Sequence, residues 1–87
     1  MKTIHKFPLQ LADWQSVMMP EGAGILHLGI QYGQPCLWAL VDPEAPLKPR
    51  NFITRGTGHP IPDGWSCYLG TYMLEEGRLV FHVLEVT

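Results

Sequence analysis

The 87-residue chain is 46% hydrophobic and only 16% charged, with a formal net charge of −2, against about 25% charged in an average domain. This is length for one domain over residues 1–87, with a thin core. It excludes a general nucleic-acid binder, because the basic footprint that phosphate backbones require is missing, and no apolar run approaches a membrane span.

The opening stretch MKTIHKFPLQ has basic residues but no continuous apolar run behind them, so no signal peptide is expected. From Lys2 to Phe7 the pattern alternates. Ile4 faces one way with Lys2 and Lys6, while Thr3, His5 and Phe7 face the other, as in a first strand near a sheet edge. Leu9, Leu11 and Ala12 suit a short turn and Asp13 a bend. Trp14 to Met19 reads as a second strand, closed by Pro20 and the turn PEGAG.

Gly24 to Tyr32 is a clearer strand, with Leu26, Leu28, Ile30 and Tyr32 on one face. Cys36 to Val41 is apolar on both faces, as in a central strand covered on both sides. The short link at Gly33 makes these two runs a hairpin. Asp42 to Arg50, DPEAPLKPR, carries Pro43, Pro46 and Pro49 and reads as a stiff loop.

NFIT resumes a strand and RGTGHPIPDGW breaks it. SCYLGTYML, with Tyr68 and Tyr72 on one face, and RLVFHVLEV are joined by the turn EEG. In the last run Leu79, Phe81 and Val83 alternate with Val80, His82, Leu84 and Val86, as in another central strand. The expected fold is all-β: a single small antiparallel sandwich or barrel of about six or seven strands. Sandwich edges with little surface charge would favour a homodimer.

The segment RGTGHPIP is the candidate ligand- or partner-binding motif. Backbone N–H groups around Gly56 and Gly58 can form a nest for an anion. Arg55 adds a charged fork, Thr57 a hydroxyl and His59 a titratable donor. The plain alternative is a wide turn in which the glycines supply positive φ and the prolines stiffen the exit. Lys48 and Arg50 would join Arg55 in a local positive patch if the loops meet at one end of the fold. Trp65, at the end of the second loop, is an aromatic of the kind that anchors interfaces.

Catalytic patterns are absent from the sequence. Cys36 and Cys67 lie in apolar runs and read as two buried reduced thiols. Ser16 and Ser66 lack a nucleophile elbow, and Glu75 and Glu76 sit in a turn. His5, His27, His59 and His82 show no zinc-ligand spacing; His27 and His82 would need to meet across a sheet near a cysteine. The expectation is no enzyme, no metal and no cofactor.

KTIHKFPL, MPEGAGILHLGIQYGQPCLWALVDPEAP and GTGHPIPDGWSCYLGTYMLEEGRLVFHVLE, in this order, resemble a family of small uncharacterised proteins encoded in phages and bacterial prophages. The resemblance spans nearly the whole chain, and CLWALVDP, GTGHPIP and LVFHVLE are its most specific pieces. It implies a small accessory protein acting in a bacterial cytoplasm. The expected function is a non-catalytic binding module of phage or prophage origin. It would engage a host protein or a small anionic ligand through its Pro/Gly-rich loops. The alternative is a structural assembly or virion-associated protein that oligomerises through strand edges.

Overall fold

The computed structural model describes residues 1–86. Seven strands follow in chain order: β1 (Thr3–Pro8), β2 (Trp14–Pro20), β3 (Gly24–Gln31), β4 (Gln34–Val41), β5 (Leu47–Gly56), β6 (Trp65–Leu74) and β7 (Leu79–Val86). All pairings are antiparallel. One sheet has the order β1-β4-β3 and the other β2-β5-β7-β6, which makes an open sandwich rather than a barrel. One short 3-10 turn, Glu75–Gly77, links β6 to β7.

Alternation builds the core between the sheets. Leu37, Ala39 and Val41 of β4 point inward to meet Phe52 of β5, Tyr72 of β6 and Val83 of β7, with Leu9, Met19 and Leu28 filling around them. The hairpin between β3 and β4 turns at Tyr32 and Gly33, both with positive φ, as a two-residue link with the twist of its strands requires.

Arg50 reaches from β5 to the Glu85 carboxylate on β7, and its Nη1 donates to the Ala23 carbonyl at 2.8 Å. It therefore ties the four-stranded sheet to the turn that leads into β3. The hydrogen bonds that Arg50 donates to the Glu85 carboxylate hold the guanidinium above its ordinary pKa.

Four expectations about the strands and thiols need correction. First, Leu47–Gly56 is one strand, so the loop ends at Pro46. Pro49 pairs with Met18 on one flank, while β7 pairs with β5 only from Asn51 onward. A strand tolerates a proline where no ladder partner needs its missing N–H. Second, a bulge between Tyr68 and Gly70 turns Tyr68 outward and leaves Tyr72 in the core, because one extra residue moves the following side chains to the other face. A bulge between Ile25 and His27 separates exposed Leu26 from buried Leu28 in the same way.

Third, β4 is central in its sheet, yet its second face is only partly covered: Cys36 is buried, Trp38 half-buried and Leu40 exposed. Fourth, Cys67 is exposed, since β6 is an edge strand; only Cys36 is a buried thiol. His27 and His82, which a shared metal site would have required to meet, lie in different sheets, and no group of three metal-ligating side chains converges among the described residues.

Burial of Tyr72 pushes its phenol above the ordinary value of 10.0. The folded state then keeps a proton that the unfolded chain releases. Stability is therefore full below that value and declines as pH rises through and beyond it. Thermal melts on either side of the ordinary phenol pKa should show this decline, and Tyr72→Phe should make it shallower.

Candidate binding cleft

The site follows from connectivity. β5 and β6 both run antiparallel to β7 and lie on its two sides. The chain leaves β5 at Gly56, beside Phe81, and enters β6 at Trp65, beside Val86. Residues 57–64 must therefore travel along β7 for roughly 17 Å, five residues of strand rise. The inner face is filled by the core. The segment crosses the outer face as a strap.

Under and beside the strap the outer face carries a cross-strand row: Trp14, Ile53, Leu84 and Tyr68. Ile53 and Leu84 are each only 3% exposed although they point away from the core. The next row is Arg55, His82 and Thr71. This second buried patch explains why β7 is apolar on both faces.

The strap is held at its start by local bonds. The His59 N–H donates to the Gly56 carbonyl at 3.1 Å, around a turn in which Gly58 has φ of 87°. The Thr57 N–H donates to the Val80 carbonyl. The His59 ring lies against the Gly56 backbone, so a Cβ there would meet its Cε1 at 3.0 Å. Pro60 and Pro62 stiffen the middle of the strap.

His82 links the strap to β6. Its Nε2 is 2.7 Å from the Thr57 hydroxyl, and its Nδ1 is 2.8 Å from the Tyr68 hydroxyl and 3.1 Å from that of Thr71. Tyr68 and Thr71 also bond to each other. Each hydroxyl can donate or accept, so both ring nitrogens are served in either tautomer.

Besides a hollow of about 170 Å³ between Leu11–Asp13 and Thr54–Gly56, two larger ones flank the strap. One, of about 410 Å³, has Leu84 and His82 as its floor, Trp65 and Tyr68 on the β6 side, and Gly56–His59 with Ile61 opposite. The other, of about 480 Å³, is lined by Asp13, Arg55, His59, Pro60, Ile61 and Pro62. His59 and Ile61 belong to both. Both larger volumes fall in the range of about 300–1,000 Å³ usual for small-molecule sites.

Of the residues singled out in the sequence, Arg55, Gly56, Thr57, Gly58, His59 and Trp65 line these hollows. Lys48 and Arg50 do not. They sit at the opposite end of β5, with Lys48 roughly 23 Å from Arg55 along the strand, and Arg50 is held by Glu85. The local positive patch does not form. Ile61 belongs to the same RGTGHPIP motif, and Tyr68, His82, Leu84 and Asp13 complete the site; the sequence did not single out His82, Leu84 or Asp13 for it.

No curated protein and no solved structure matches the chain. The model of one family matches residues 1–87. By that match the chain belongs to the family described as a domain of unknown function, DUF7352.

Proposed function

We propose that the protein is a non-catalytic binding module that holds a small organic molecule in the cleft between the strap and the outer face of the four-stranded sheet. One observation carries this reading. Trp65, Tyr68 and Ile61 stay 47%, 49% and 41% exposed around a floor, Leu84, that is 3% exposed. Exposed aromatic and aliphatic walls over a dry floor gain most when an apolar group displaces the water between them. A concave hollow of this volume suits a small ligand better than the surface of a host protein. Both nitrogens of His82 are engaged by hydroxyls, which favours a positioning role over proton transfer. The phage or prophage setting and the bacterial cytoplasm implied by the resemblance belong to the same proposal.

An amide NMR titration with benzyl alcohol tests it. Saturable shifts are expected at Gly56–His59, Ile61 and Leu84, and Gly56→Val, which evicts the His59 ring, should weaken them at least tenfold. Shifts that never saturate, or that Gly56→Val leaves unchanged, would remove the cleft as the site.

The assembly reading has its own observation. Ile4 and Leu26 are 55% and 56% exposed on the three-stranded sheet, beside Leu40. Sedimentation over a range of protein concentrations tests it, with growing oligomers as the outcome that favours it.

A further inference from the structure

We infer that the ligand is a free α-amino acid with an aromatic or large apolar side chain. This rests on the cleft being the binding site. The two hollows differ in chemistry and meet at His59 and Ile61. The first is apolar and walled by Trp65 and Tyr68. The second holds one cationic and one anionic side chain, Arg55 and Asp13.

These two charges are not matched to each other. Arg55 Nη1 donates to the main-chain carbonyls of Asp13 and Thr54, at 2.9 and 3.0 Å. It does not bond to the Asp13 carboxylate. Among the described residues the ion pair is Arg50 with Glu85. Both residues line the second hollow, which brings one positive and one negative residue to the same opening.

A simple anion would gain from Arg55 and lose to Asp13, and a simple cation the reverse. A group with an ammonium and a carboxylate on one carbon answers both. Its side chain would then pass His59 and Ile61 into the apolar hollow. An internal residue of a peptide carries neither main-chain charge and a terminal residue only one, so the match is to the free amino acid.

The test is a calorimetric or NMR series on the full chain with four probes. L-phenylalanine carries both charges, phenethylamine lacks the carboxylate, 3-phenylpropanoate lacks the ammonium, and benzyl alcohol has neither. L-phenylalanine should bind about tenfold more tightly than either singly charged probe, the scale of one charge-assisted hydrogen bond. Arg55→Gln should abolish its advantage over phenethylamine, and Asp13→Asn its advantage over 3-phenylpropanoate.

If L-phenylalanine binds no more tightly than both singly charged probes, the amino-acid assignment is overturned while the cleft stands on its benzyl alcohol binding. If 3-phenylpropanoate binds best, the hollow is an anion site and the assignment falls again. If none of the four binds, the cleft reading fails with it. Thermal melts of both variants separate lost contacts from lost folding, and the series on the unaltered protein decides the matter without them.

Discussion

Phe52→Ala is expected to destabilise the protein by about 3–5 kcal/mol, the range for emptying a buried aromatic site. Phe52 has no exposed surface and belongs to the core cluster with Leu37, Val41 and Val83. It projects from β5, which pairs with both β2 and β7, so a cavity there loosens the four-stranded sheet where it meets the other. A chain of this length has roughly 4–13 kcal/mol of stability in total, at about 0.05–0.15 kcal/mol per residue. The loss should appear as a large drop in denaturation midpoint, with the slope little changed. A drop of less than about 1 kcal/mol would mean that the core can collapse around the missing ring.

His82→Leu is expected to act locally. The leucine keeps apolar volume on the outer face, but Thr57, Tyr68 and Thr71 lose their shared partner. Loss of such bonds costs about 1–2 kcal/mol. The cost falls on the strap, because the hydrogen-bonded ladders of β5, β6 and β7 do not use the imidazole. Amide hydrogen exchange at Thr57 and His59 should therefore accelerate about tenfold, while Phe52 and Val83 keep their protection. Unchanged exchange at Thr57 would show that the backbone bonds to Val80 and Gly56 hold the strap unaided.

Strand content was legible because the β-rich runs are short and punctuated by glycine and proline. The edge position of β1 and the central position of β7 followed from alternation in Lys2–Phe7 and Leu79–Val86. Three features were hidden for physical reasons. A bulge does not announce itself in a period-2 pattern, so Tyr68 and Tyr72 read as one face and separated in space. Pro49 reads as a loop residue unless the end of the neighbouring strand is known, which local sequence does not carry. Charge clustering in sequence placed Lys48 and Arg50 with Arg55, whereas an extended β5 sends them to its far end.

The site itself was half legible. Arg55 to His59 stood out as a glycine-rich excursion, and Trp65 as an aromatic at its exit. Their partners arrive through pairing: His82 lies opposite Arg55, and Leu84 opposite Ile53 and Tyr68. One signal pointed toward them. Val80, His82, Leu84 and Val86 form a second apolar-rich face on the last strand, and a strand apolar on both faces needs cover on both. The strap supplies that cover, and it must do so because β6 enters the sheet on the far side of β7. Asp13 gave no such signal, since a lone acid at a bend reads as a turn former.

The most direct measurement is a crystal structure of the protein soaked in benzyl alcohol. Ordered density for the ring is expected against Leu84, between Trp65 and the strap at Gly56–Ile61, with the Thr57–His82 contact intact. Density confined to the exposed face around Ile4, Leu26 and Leu40, with the cleft filled by water alone, would contradict it.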